Sequence, residues 1–404
     1  VKRVGQNSIP GDGNPIDWYV NIQTPIYLSC ADQGPHPVDQ STVHWRFSFW
    51  PQGFTGEPTY SEWDSAPGEA TVYFKEDSWH DLEYYCTDAL GNTGVTDLEY
   101  FIVDTKAPEI KKEIIGPKYV KDEKTYIDGV TEIHVNAVDP EPHPINGVIC
   151  DWSYEVLDDD DANGGDKDIT PPFIINFPEE SEHELTIICR DALGNEVRDV
   201  EIFFVDKTPP GIKKRYGEPY FSDQFEDYLA EWISSETPIF GFVSDDGEHK
   251  SGIAEVKYRT TVVDDEFCRY REKEEITCED AIGKGDWNYV DPEDFDEFEF
   301  NAEKESCHLI EIMATDNVDK SRTHKQCAFV DNSPPTPLKE VDEPKEPWDG
   351  LDAHFYDLKE FCSIEGNCWK VTLDTPISMT CTDPDPHPVD HETIYFMVGL
   401  DGDD

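Results

Sequence analysis

The densest run of potential ligating side chains in the chain is Asp159-Asp160-Asp161-Ala162-Asn163-Gly164-Gly165-Asp166-Lys167-Asp168. Asp159, Asp161 and Asn163 fall at alternate positions and Gly164 follows, as at the start of an EF-hand-type loop. Hard oxygen donors with a glycine at the sharp turn are the chemistry that holds Ca²⁺. Thr170 stands where the closing bidentate Glu belongs, so Asp166 or Asp168 would have to supply the last carboxylate. The plainer reading is a solvated acidic hairpin tip.

A second set of oxygen donors recurs. Asp32, Asp39, Asp88, Asn92 and Asp104 have counterparts in Asp139, Asn146, Asp191, Asn195 and Asp206. All fall at expected loops or strand ends, the positions at which cadherin-like arrays hold Ca²⁺ between two domains and stiffen a rod. Against that, Asp88 and Asn92 can satisfy only their own turn, and Asp104 can cap a linker. Three Pro-His-Pro loops, at Pro35-His36-Pro37, Pro142-His143-Pro144 and Pro386-His387-Pro388, hold a conformationally restricted histidine. One such histidine per repeat is a rigid turn sooner than a metal or pH-sensing cluster, unless His80, His183 and His308 lie near the loops. Trp50, Phe54, Tyr60 and Trp63 form an aromatic stretch that would bind sugar if it lay on a flat strand face. Nucleophile elbows, HExxH helices, P-loops and GxGxxG turns are all missing, and paired carboxylates are too common here to indicate a glycosidase. No enzyme is expected.

Any of these groups must be positioned by small folded units. The 404 residues carry 32 Lys plus Arg against 89 Asp plus Glu, a net charge of −57. Such a surface repels phosphate backbones and excludes a nucleic-acid partner working through a basic face. Apolar residues make up 37%, low for one large core, while 12% aromatics argue against a disordered acidic chain. No apolar run is long enough for a membrane-spanning helix. Val1-Lys2-Arg3 opens no signal-peptide pattern, so the chain reads as a fragment or a processed product. The negative charge fits either bound cations or adaptation to salt.

The chain repeats. Phe101-Ile102-Val103-Asp104-Thr105-Lys106-Ala107-Pro108 returns as Phe204-Val205-Asp206-Lys207-Thr208-Pro209-Pro210 and as Phe329-Val330-Asp331-Asn332-Ser333-Pro334-Pro335. Asp88-Ala89-Leu90-Gly91-Asn92 returns as Asp191-Ala192-Leu193-Gly194-Asn195. A period of about one hundred residues suits a whole β-sandwich. The expected domains are 1–107, 108–209, 210–334 with insertions, and an incomplete 335–404. Within repeat 1, Ile26 to Cys30, Val43 to Phe47, Ala70 to Phe74, Leu82 to Cys86 and Leu98 to Val103 read as strands separated by turn residues. Val43, Trp45 and Phe47 fall on one face. Only Asp223 to Trp232 and Asp352 to Phe361 suggest short helices. The fold class is therefore all-β, a series of antiparallel sandwiches.

Cys30, Trp45 and Cys86, with Tyr84 two residues before the second cysteine, resemble the immunoglobulin sandwich. The Val-Asp-x-Thr/Ser-Pro-Pro boundary and the Cys-x-Asp-Ala-Leu-Gly-Asn strand end look like tandem immunoglobulin-like domains of prokaryotic, archaeal surface proteins. That resemblance implies a Cys30–Cys86 bond. Cys150 aligns with Val43 and Cys189 with Cys86, so a Cys150–Cys189 bond would join neighbouring strands of one sheet. Repeat 3 has Val243 and Ala314 at the usual sites, and the expected pairs there are Cys268 with Cys278 and Cys307 with Cys327. Cys362 with Cys368 would make a local clip, leaving Cys381 alone. Paired cysteines imply an extracellular or cell-surface location. The resemblance implies a non-catalytic structural or adhesive array, calcium-stiffened, on a cell surface or in an S-layer. Its partners would be other surface proteins, glycans or copies of itself. The competing reading is a string of carbohydrate-binding modules attached to a secreted enzyme.

Overall fold

The computed structural model describes residues 1–31, 41–51, 53–141, 147–157, 163–224, 229–269, 277–348, 368–383 and 394–396. Among these residues there is no α-helix, only strands and four short 3-10 turns. The chain divides into two compact units. One comprises residues 1–208 with 246–252 and 317–320; the other holds the remainder.

The stretch from Glu109 to Val205 shows the plan. A three-stranded sheet orders Glu109–Ile115, Glu132–Val138 and Phe173–Ile175. A six-stranded sheet orders Lys118–Lys121, Lys124–Ile127, Glu196–Val205, Glu182–Arg190, Ile149–Val156 and Asn163–Ile169. Strict alternation along Glu182–Arg190 sends His183, Leu185, Ile187 and Cys189 inward. They meet Ile133, Val135 and Ala137 from the facing sheet, so the core is the space between two sheets. The chain crosses from one sheet to the other early: Glu109–Ile115 pairs antiparallel with Glu132–Val138, whereas Lys124–Ile127 pairs parallel with Glu196–Val205.

The same arrangement precedes and follows. Lys2–Val4, Ile26–Ser29 and Glu69–Val72 face a sheet built on Trp18–Val20, Asp97–Val103, Ser78–Asp88 and Ser41–Trp50. As expected, Val43, Trp45 and Phe47 turn toward the core that Leu28, Leu82 and Phe101 fill. Gly211–Tyr216, Ile239–Ser244 and Phe298–Phe300 face a sheet built on Leu229–Ile233, Ser321–Val330, Ser306–Asp316 and Ile253–Val262. After residue 334 the described strands are two pairs, Thr336–Val341 with Ile377–Thr382 and Lys345–Pro347 with Trp369–Val371.

The helix expected from Asp223 to Trp232 is a hairpin: Tyr220–Gln224 pairs with Leu229–Ile233. The misreading has a physical cause. Ala230, Trp232 and Ile233 lack the alternation of a half-buried strand because they are buried on opposite faces of it, while Leu229 at its start is exposed. Ile233 enters the core between the sheets, while Ala230 and Trp232 join a second apolar cluster with Cys268, Ala281, Cys307, Leu309, Cys327 and Phe329. Two-sided burial removes the period-two signal. The other suggested helix, Asp352 to Phe361, lies outside the described residues.

The second apolar cluster also decides the disulfides. Cys30 bonds Cys86, and Cys150 bonds Cys189, directly opposite it on the neighbouring strand. In repeat 3 the bonds are Cys268–Cys307 and Cys278–Cys327, crossed relative to the expected 268–278 and 307–327. Cys307 lies opposite Phe329 and Cys327 opposite Leu309, so the two cysteines are diagonal neighbours. Diagonal Cα atoms are about 7–8 Å apart, beyond ordinary disulfide reach, whereas both observed pairs have Cα atoms 5.8 Å apart. The insertion after Val262 folds over the outer sheet face and brings one cysteine to each. Cys368 is disulfide-bonded, Cys362 lies outside the described residues, and Cys381 is a free thiol.

Candidate functional site

Repeats 1 and 2 belong to one compact unit, and the carboxylate cluster sits where their ends meet. Val103 ends a strand whose ladder places it opposite Ser78. Asp104 continues it, its N–H donating to the Val20 carbonyl at 2.9 Å. The residue is 1% exposed, and its carboxylate accepts from the Lys106 N–H at 3.0 Å. From repeat 2 come Asp139, after the strand Glu132–Val138, and Asp191, in the turn after Glu182–Arg190. One carboxylate oxygen from each of Asp104, Asp139 and Asp191 lies within 4.8 Å of the others.

Asn195 ties the cluster together. Its side-chain N–H groups donate to Asp104 O and Oδ2, each at 3.2 Å, and to Asp191 Oδ2 at 2.8 Å. Asp191 Oδ1 meanwhile accepts from the Leu193 and Asn195 N–H groups. Two further bonds cross between the repeats: Asn21 Nδ2 to Leu193 O at 2.8 Å and Lys106 Nζ to Glu141 O at 2.9 Å. Burial pushes the Asp104 carboxyl up to about 7. The Lys106 N–H opposes this, and the nearby Asp139, Asp191 and Asp77 charges add to it. Hard carboxylate oxygens at this separation suit a divalent cation such as Ca²⁺, which would neutralise the crowded charge.

This arrangement revises the expected junction set. Asp88 is ten residues along its strand from Ser78, about 33 Å at 3.3 Å per residue. It therefore occupies the opposite end of repeat 1 from Asp104, and no single repeat can assemble the set. Asp88 and Asn92 close on each other: Asp88 accepts from the Leu90 and Asn92 N–H groups and from Asn92 Nδ2. Asp32, Asp39 and Asn146 lie outside the described residues. In the same unit, the residue in the register of Asn195 is Lys320, whose ammonium pairs with Asp128 at 2.7 Å. Asp206, the counterpart of Asp104, accepts there from the Ser251 N–H at 2.8 Å.

From Asn163 onward the acidic run of repeat 2 is strand. Asn163–Ile169 is a strand in a ladder, with Asn163 opposite Glu155 and Asp166 opposite Trp152. Asn163 and Asp168 are thus about 16 Å apart at 3.3 Å per residue, too far to share one ion. Asp159 and Asp161 lie outside the described residues. So do the three Pro-His-Pro loops. The recurring histidines are buried: His80 sits between the Ser48 and Glu76 carbonyls, and His183 stacks on Phe177 at 4.3 Å. His308 faces the Lys304 carbonyl.

The aromatic stretch of repeat 1 is on the sheet's outer face, and its members bind one another. Trp50 packs on Phe54, which meets Trp79 and Tyr100 edge-on, and Trp50 Nε1 donates to Asp81. Tyr60 and Trp63 are 48% and 41% exposed, but both cover the Arg46 guanidinium, at 4.2 and 4.9 Å. Arg46 bonds Glu83 across the strands. Repeat 3 repeats the device, with Arg259 under Trp287 and bonded to Glu311. Tyr60 and Trp63 thus hold an arginine in place while remaining partly exposed.

One set of functional groups was missed in the sequence. Lys2, Lys112, Lys214 and Lys339 occupy one register position on the first strand of each repeat, opposite Leu28, Val135, Gly241 and Met379. On the last strand of each complete sandwich the facing pair is Asp97 with Glu99, Asp199 with Glu201, and His324 with Gln326. Lys2 contacts the Glu99 carboxylate; burial brings its ammonium down to about 8 against the pull of Asp17 and Asp97. Lys112 lies 2.5 Å from both Asp199 and Glu201; burial lowers it, but those bonds outweigh burial and the net shift is upward. The signal was present: each boundary Asp, at 104, 206 and 331, precedes its lysine by eight residues and follows the facing Glu or Gln by five.

No family model and no curated protein matches the sequence. Solved structures do. The FN1–FN3 domains of chicken CNTN1 are 11% identical, over 81% of this chain and 98% of theirs, with a TM-score of 0.24. The fibronectin(III)-like modules of Clostridium thermocellum CbhA are 14% identical, over 55% of this chain and 94% of theirs, also at 0.24. By its own ladders, this chain is all-β, a series of two-sheet sandwiches in which a three-stranded sheet faces a six- or seven-stranded one.

Proposed function

We propose that the chain is a non-catalytic, extracellular structural or adhesive array, of the prokaryotic and archaeal surface type, in which Ca²⁺ stiffens the joint between repeats 1 and 2. The observation that carries the reading is the Asp104, Asp139 and Asp191 cluster, drawn from two repeats and tied by Asn195. A cation there would be held by both repeats at once, so binding would oppose bending about the linker. Lys320, aligned with Asn195, instead places an ammonium 2.7 Å from Asp128, so positive charge at that position comes from the chain itself. The four described disulfides fit an oxidising compartment, and no helix of the described residues is long and apolar enough to cross a membrane.

Calorimetric titration with Ca²⁺ tests the reading, with small-angle scattering in Ca²⁺ and in chelator at fixed ionic strength. A binding event lost in Asp104→Asn, together with a longer and stiffer particle in Ca²⁺, is the expected result. At a hundredfold excess over Kd, binding to the native state adds about 3 kcal/mol. An isotherm unchanged by Asp104→Asn would refute the site.

A further inference from the structure

Two pairs of equivalent positions carry different side chains at the two boundaries within the first compact unit. Asn195 and Lys320 each stand four residues after a turn aspartate, Asp191 and Asp316, and each directly precedes the last strand of its repeat. Asn21 and Asp128 each directly follow the strand that pairs parallel with a last strand. Between repeats 1 and 2 both positions hold amides. Asn21 reaches the Leu193 carbonyl, and Asn195 reaches Asp104 and Asp191. Neither amide brings charge to the three carboxylates there. At the end of repeat 2 both positions change together: Asp128 is 5% exposed, and the Lys320 ammonium lies 2.7 Å from its carboxylate.

The ion pair belongs to a socket built from the chain alone. Residues 246–252 and 317–320, two loops of repeat 3 by sequence, lie in the compact unit of repeats 1 and 2. Asp206 is fully buried and accepts from the Ser251 N–H at 2.8 Å; Ser251 is itself buried. Gly247 lies so close to Glu180 that a Cβ there would come within 2.9 Å of Oε1. Thr208 Oγ1 donates to Glu180 Oε2 at 2.6 Å and holds it in place. Asn317 joins the two loops, its Nδ2 donating to the Ser251 and Gly252 carbonyls. A carboxylate buried as deeply as Asp128 destabilises the fold unless an opposite charge meets it. Lys320 supplies that charge at a fixed place, whereas a bound ion supplies it only in proportion to its free concentration.

We propose that the residue four places after the turn aspartate decides which boundary takes a divalent cation. Lys320 is a tethered cation that fastens its two loops to the end of repeat 2, whereas Asn195 leaves the same charge to a metal. The first half stands without calcium; the second rests on the calcium reading above. Chelation therefore loosens the contacts around Asn195 and leaves those around Lys320 intact.

Hydrogen exchange of the whole chain, read by mass spectrometry in chelator and in Ca²⁺, tests both halves. In chelator, Lys320→Met should speed exchange across 246–252 by at least about tenfold, because buried Asp128 loses its partner, while Ser306–Asp316 stays as protected as in the parent. Lys320→Arg, which keeps the charge, should retain parental protection. Unchanged exchange at 246–252 in Lys320→Met would refute the tether. For the second half, Asn21→Asp with Asn195→Lys transplants the ion pair to the first boundary. The Ca²⁺ event of the parent should vanish from the isotherm. In chelator, the Leu193 and Asn195 amides, which donate to Asp191, should slow to their rates in the Ca²⁺-loaded parent. Faster exchange there, or Ca²⁺ bound as tightly as by the parent, would overturn the role of this position. A parent that binds no Ca²⁺ would sink the second half together with the calcium reading, and the Lys320 variants in chelator would still decide the first.

Discussion

Asp104 makes the sharpest test of the joint, because its ionisation is opposed by burial and by two carboxylates at once. Its folded pKa of about 7 lies above the ordinary 3.8. Between those values the folded chain holds a proton that the unfolded chain has released. Without metal, stability therefore falls as pH rises from about 4 to 7. The full shift corresponds to about 4 kcal/mol by linkage. Water near the joint screens part of it, so the expected loss is about 2 kcal/mol. Asp104→Asn has nothing to ionise and should be more stable than the parent at pH 7 in chelator, with equal stability near pH 4. The general self-repulsion of an acidic chain affects both proteins alike and cancels in the difference. Adding Ca²⁺ should stabilise the parent at pH 7 and leave the variant unmoved, reversing their order. Denaturant melts of the two proteins across this range, in chelator and in Ca²⁺, provide the measurement. Parallel pH profiles in chelator would show that Asp104 ionises without cost, and the electrostatic argument for a cation would fail.

Other expectations are simpler. Replacing Cys30 and Cys86 together opens a loop with a sequence separation of 56 residues, and should cost repeat 1 about 4 kcal/mol in a denaturant melt. Non-reducing peptide mapping should recover Cys268 with Cys307 and Cys278 with Cys327, and a 268–278 peptide would contradict the folded insertion. Phe177→Ala removes a fully buried ring that His183, Tyr154 and Phe203 all touch. It should destabilise repeat 2 by about 4 kcal/mol, read as a shifted urea midpoint. Arg46→Ala should cost about 1 kcal/mol from the lost ring contacts and expose Tyr60 and Trp63. A glycan array that then remains blank would confirm that those rings serve the arginine.

The sandwich was legible because its signals are local and recur. A strand such as Glu182–Arg190 alternates without interruption, and the Val-Asp-x-Thr/Ser-Pro-Pro boundary returns at a constant place. Cys30 and Cys86 could be matched because each sits near the end of a recognisable core strand. The failures arose where one element acts on another. Leu229–Ile233 hid its strand character because an insertion distant in sequence buries its outer face. The same insertion crossed the disulfides of repeat 3, since cysteines near in sequence are not those whose Cα atoms approach.

The candidate sites divide in the same way. Sequence alone determined that Asp104, Asp139, Asp191 and Asn195 are loop or strand-end residues, each with a counterpart in a neighbouring repeat, and that the surplus of negative charge must be met by cations or solvent. It could not say that Asp104 of one repeat meets Asp191 and Asn195 of the next, while Asp88 of its own repeat lies a strand's length away. Sequence also held the spacing of Lys112, Lys214 and Lys339 from their boundary aspartates. Only the folded structure showed that Lys2 and Lys112 meet carboxylates of their last strands, while the Lys214 ammonium lies over the Tyr216 ring. A residue's type and spacing fix what it can bond. The pairing of strands far apart in the chain fixes what it meets, because ladder register places side chains to within a few ångströms and sequence distance places them hardly at all.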